Sequence, residues 1–177
     1  MCIFNASEVK VHKPIRVYKI VVHATYARKN ETEDHWISPY RKSIIPKDII
    51  EGKHNMIAYE PNTIPSPYCV SKGYIHSYMD IKDAVKEYYT YYKMAFEDAS
   101  HLVEMYECEI PADTGKYGEG YCWKGIFSYE NYHSIAAREI KFIRHIPSEE
   151  LFNIYTCASV QTTITLKQRS RLSNASK

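Results

Sequence analysis

The sequence predicts an α+β protein in which mixed or antiparallel strands pack on one long amphipathic helix over residues 80–100. Three stretches carry that prediction. Residues 15–22, IRVYKIVV, are apolar or β-branched at almost every position, the composition of a well-buried strand. Residues 80–99 set Ile81, Ala84, Val85, Tyr88, Tyr92, Ala95, Phe96 and Ala99 on one helical stripe, with Lys82, Asp83, Lys86, Glu87 and Lys93 off it. Residues 138–146, REIKFIRHI, alternate: Ile140, Phe142 and Ile146 fall on one side, and Glu139, Lys141 and His145 on the other.

The remaining elements follow from punctuation between these stretches. Residues 27–67 hold Pro39, Pro46, Pro61, Pro65 and Pro67 and read as a long connection with one or two short elements. Asp80 suits a helix N-cap, because its carboxylate can accept the open N–H groups of the first turn. Residues 103–110, VEMYECEI, read as a strand that Pro111 ends, and 112–120, ADTGKYGEG, as a glycine-rich turn. Ser148 is the expected cap of a short helix, EELFNIY, with Glu149 and Glu150 at its positive end. Val160, Thr162, Ile164 and Leu166 alternate as a last strand. The organisation expected is one domain over 1–155, followed by a strand and a basic polar tail over 156–177.

Composition excludes more than it assigns. The 177 residues can bury a sizeable core without disulfide or metal staples. No apolar run approaches the length of a membrane span, and the first residues lack the basic-then-apolar pattern of a secretory signal. With an odd count of five cysteines and no CxxC pair, free thiols and a cytoplasmic location are expected. Twenty-three Lys and Arg against 21 Asp and Glu give a net charge of +2, too small a field to imply nucleic-acid binding outside the basic tail. The eight histidines make no HxxxH spacing, so no metal site is expected. Gly115, Gly118 and Gly120 lack the GK[ST] of a phosphate loop and read as turn residues. Seventeen tyrosines suit half-buried strands or a binding surface.

One ordered set of motifs resembles an uncharacterised family of small bacterial and phage proteins. It comprises the Met1-Cys2 start, Val17-Tyr-Lys-Ile-Val21, Ser38-Pro-Tyr40, Gly73-Tyr-Ile-His76, Glu107-Cys-Glu-Ile-Pro111 and Ala137-Arg-Glu-Ile140. That resemblance implies an accessory protein of phage or bacterial origin and supplies no reaction. The Met-Cys start is also similar to that of N-terminal-nucleophile amidohydrolases, where a terminal Cys, here Cys2, is the nucleophile.

A weaker resemblance, carried by His23-Ala-Thr25, Gly73–Tyr78 and Glu139, is to the ADP-ribosyltransferase-like fold. It implies NAD as cofactor, His23 and Thr25 on the nicotinamide ribose, Tyr74 stacked on the ring and Glu139 as catalytic acid. A carboxylate there would stabilise the positive charge that develops as nicotinamide leaves. Ala24 stands where that family has glycine, and His76 where it has a small residue.

The candidate site residues are therefore Glu139 and His23 for catalysis, and Thr25, Tyr74, His76 and Ser77 for ligand binding. The bland reading of Tyr74 and His76 is that they alternate with Ile75 to cover a sheet. The function expected is an accessory protein that binds a small-molecule ligand or a protein partner. A transferase of the ADP-ribosyltransferase type and a structural phage component are the alternatives.

Overall fold

A computed structural model describes residues 3–28, 31–38, 43–58, 74–89, 101–112, 116–123 and 131–158. The chain divides into two compact units, Met1–Ile146 and Pro147–Lys177. The first unit is α+β. Its described strands are β1 (Ile3–Lys10), β2 (Ile15–Arg28), β3 (Glu31–Ser38), β4 (Ser43–Ile45), β5 (Met56–Ile57), β6 (Ile75–Tyr78), β7 (His101–Ile110), β8 (Lys116–Trp123), β9 (Asn131–Ala137) and β10 (Glu139–Ile146). The helices described in it are α1 (Lys47–Ile50) and α2 (Ile81–Glu87).

The described strands all pair antiparallel, in the order β1-β8-β9-β6-β2-β7-β10-β5, with β3 on β2 and β4 on β3. Only Arg138 separates β9 from β10. Yet β9 lies beside β6 and β10 beside β7, and β6 and β7 both flank β2. One bent strand thus borders both sides of the β6–β2–β7 ladder, and the sheet curls until it is nearly closed.

The curl gives the sheet an inner and an outer face. Val17 and Val21 of β2, Cys108 and Ile110 of β7, Ile135 and Ala137 of β9, and Ile140 and Phe142 of β10 meet in the inner core. Each fully buried Val or Ile there contributes roughly 1.5–3 kcal/mol. On the outer face, Ile20 and Val22 are buried as well, and α2 packs against β2 and β6. Val17 and the stretch 19–22 are buried on both sides of β2 because both sides are covered there, whereas Arg16 is exposed.

Several elements depart from the sequence reading. The described helix covers Ile81–Glu87, and 88–89 continue as a wider π turn, so one long helix is not shown; residues 90–100 of the expected 80–100 helix lie outside the described residues. Asp80 caps it as expected, accepting from the Lys82 N–H at 2.7 Å. Ala84, Val85 and Tyr88 are buried, and so is Glu87, which follows Ala84 by three residues and borders the same face.

The expected connection at 27–67 contains the end of β2, β3, β4, α1 and β5, because β3 finds its ladder on the long β2. The expected turn at 112–120 is largely β8: pairing with β1 and β9 extends a glycine-rich sequence into a strand. In the second unit, residues 148–158 form helix α3. The Pro147 carbonyl accepts from the Leu151 N–H at 3.1 Å, so Ser148, the expected cap, sits inside the first turn. The expected strand at 160–166 and the rest of the tail lie outside the described residues.

Candidate functional site

A cluster built around one carboxylate stands at one end of the inner face. His23 on β2 is directly opposite Trp36 on β3, and directly opposite residues share a face. Their rings stack in parallel, with centroids 4.6 Å apart and planes 2° from coplanar. Across β2 from β3, Glu104 on β7 faces Val21, one diagonal step from His23.

The Glu104 carboxylate receives three partners from three strands. Trp36 Nε1 donates to Oε2 at 2.9 Å, and the Tyr106 hydroxyl donates to the same oxygen at 2.8 Å. His23 Nδ1 lies 3.4 Å from Oε1. Hydrogen bonds to a charged group are worth about 1.5–3 kcal/mol each, so this carboxylate fixes an indole and a phenol, with the imidazole beside them at 3.4 Å. Burial, and then the bond to Glu104, push the Tyr106 hydroxyl pKa well above its ordinary value.

A β-bulge brings a fifth side chain to the cluster. Phe142 pairs with Cys108, but the next pair is Arg144 with Glu107, so Ile143 is extra. Past it the faces exchange. Arg144 turns outward with Glu107, His145 turns inward opposite Tyr106, and Ile146 joins Met105 on the outer face. The expectation that Phe142 and Ile146 share a side and His145 opposes them is therefore corrected: one inserted residue reverses the alternation. His145 is exposed and meets the Tyr106 ring edge-on at 5.2 Å, while Phe142 meets it from within at 5.4 Å.

The other predicted site residues have different surroundings. Tyr74 opens β6's described segment, is buried, and carries the Arg138 guanidinium 5.9 Å from its ring centroid. The His76 carbonyl accepts from Lys19 Nζ at 3.0 Å, and Lys19 is itself buried on the inner face of β2. Ser77 is buried opposite Ile135. Glu139 Oε1 accepts from Asn55 Nδ2 at 2.6 Å, and Glu139 pairs with Ile57. Thr25 faces Asp34 in the β2–β3 ladder, and its side chain lies outside the described residues, as does Gly73.

Tyr74, Arg138 and Glu139 thus gather at the bend between β9 and β10, whereas His23 belongs to the Glu104 cluster. Along β7, the rung of His23 is Leu102 and that of Lys141, two residues past Glu139, is Glu109. Those rungs are seven residues apart, about 23 Å of strand.

Trp36, Glu104, Tyr106 and His145 are absent from the sequence-derived set. In VEMYECEI both alternating faces carry a glutamate, so period alone does not say which glutamate turns inward. The free cysteines described are Cys108, fully buried, and Cys157, exposed; burial pushes the Cys108 thiol pKa up. Among the described residues no group of three or more His, Cys, Asp or Glu could hold a metal ion, and no helix is long and apolar enough to cross a membrane. Compared with protein-family models, curated proteins and solved structures, the chain matches none, so the site rests on this geometry.

Proposed function

We propose that the protein binds a small planar ligand at the end of the inner face marked by His145, Tyr106, Trp36 and His23. The observation that supports this reading is the Glu104 carboxylate, whose three partners hold aromatic rings from β2, β3 and β7 in one fixed arrangement. A preset group of rings loses little entropy when a flat ligand stacks on it. The bulge at Ile143 adds an exposed imidazole, His145, that can donate to or accept from such a ligand. We read the chain as an accessory binding protein of the bacterial or phage kind that its sequence resembles, acting in the cytoplasm.

Thermal denaturation against nucleosides, nucleotides, nicotinamide and NAD tests the reading. A ligand at 100 times its Kd adds about 2.7 kcal/mol of stability. At least one compound should raise the melting temperature, and His145→Ala and Trp36→Phe should each lose that response. If no compound stabilises the protein, or the response survives in both variants, the reading fails. A response to NAD that Glu139→Gln abolishes and His145→Ala keeps would favour the transferase alternative instead.

A further inference from the structure

The same bulge shapes the opposite face of the sheet. Ile143, the inserted residue, is 48% exposed although it is apolar and sits within a strand. Around it the outer face is basic. Arg144 faces Glu107 in register, and Glu109 stands between Lys141 on β10 and Arg16 on β2. Arg16 Nε lies 2.9 Å from one oxygen of Glu107, and Arg144 Nε lies 3.0 Å from the other. The Glu107 side chain is 10% exposed, whereas those of Arg16 and Arg144 are 70% and 44% exposed. One buried carboxylate therefore anchors two guanidinium groups that still reach solvent. Counting Arg16, Lys141 and Arg144 against Glu107 and Glu109 leaves an excess of one positive charge.

We infer that this outer face of β7 and β10 is a docking surface for an acidic, partly apolar segment of another protein. Arginines already fixed by Glu107 lose less side-chain freedom on meeting a carboxylate than free ones would. An apolar side chain inside a polar, arginine-bearing rim is the arrangement of an interface anchor. A nucleic-acid strand fits less well. Glu107 and Glu109 run down the middle of the face and oppose a phosphate backbone, and Ile143 offers phosphate nothing.

Fluorescence anisotropy with a short labelled peptide alternating Glu and Leu is the test, run beside an all-Glu peptide and a single-stranded oligonucleotide of matched length. The Glu–Leu peptide should bind the full chain more tightly than either, and weaken as salt is raised. Ile143→Ser and Arg144→Gln should each weaken it about tenfold, the equivalent of 1.4 kcal/mol. Arg144→Lys should fall between, and Lys53→Gln, at an exposed lysine already paired with Asp48 and Glu51, should change nothing. Melting curves confirm that each variant is folded. No binding of the Glu–Leu peptide, equal binding by Ile143→Ser, or tighter binding of the oligonucleotide overturns the inference. So does self-association in sedimentation velocity that Ile143→Ser abolishes, which would assign the face to a second copy of the chain. None of these outcomes depends on the ligand site at His145, whose test is thermal.

Discussion

Replacing Gly52 by alanine should destabilise the first unit by about 2–3 kcal/mol, through a contact that reaches the candidate site. Gly52 follows α1 with φ +72°, in the left-handed region. A Cβ there would stand 2.6 Å from the Phe142 carbonyl oxygen, about 0.8 Å inside ordinary contact at 3.4 Å. The left-handed conformation costs an alanine about 1–2 kcal/mol. Forcing a methyl against a backbone oxygen adds roughly 1–3 kcal/mol, since a carbonyl in a paired strand cannot rotate away as a side chain would. The reduced freedom of the unfolded chain offsets about 0.4–1 kcal/mol of this.

Urea denaturation gives the difference directly, and Gly52→Asn separates its causes. Asparagine tolerates positive φ but also carries a Cβ, so it should recover only part of the loss. Because Phe142 precedes the bulge and packs edge-on against Tyr106, both variants should also weaken any ligand response that depends on His145. A Gly52→Ala midpoint equal to wild type would refute the close approach. Full recovery by asparagine would assign the whole effect to backbone conformation.

Two further outcomes are expected. Tyr88 is buried on α2 and its hydroxyl donates to the Val103 carbonyl at 3.0 Å, so Tyr88→Phe should cost about 1 kcal/mol and Tyr88→Ala about 3–5 kcal/mol in the same assay; equal midpoints for the two would show that the ring is not packed. The Tyr106 pKa is raised in the folded protein, so its contribution to stability is fully present below about pH 10 and is lost as pH rises from there through the raised value. Stability measured on the alkaline side should therefore fall with pH less steeply in Tyr106→Phe than in wild type, and parallel curves would contradict the burial of this phenol.

What the sequence determined by itself is the class and the strongest local signals. The run at 15–22 is a strand, buried at Val17 and over 19–22, because apolar and β-branched residues occupy both of its alternating sets there. Asp80 and the Ala84–Val85–Tyr88 stripe mark a helix because capping and the 3.6-residue period are local properties. His23 was legible as a histidine at the end of that buried run.

Tertiary structure decided the rest. Glycine-rich 116–123 is a strand because β1 and β9 supply ladders on its two edges, and no residue within it announces those partners. Glu104 became the centre of the candidate site only when β3 and β7 were set on opposite edges of β2, which lets Trp36 reach it across that strand. His145 and Ile146 exchanged faces through a single inserted residue, Ile143. A strand's alternation has period two, so one extra residue reverses every side chain beyond it, and only the partner strand reveals where that insertion lies.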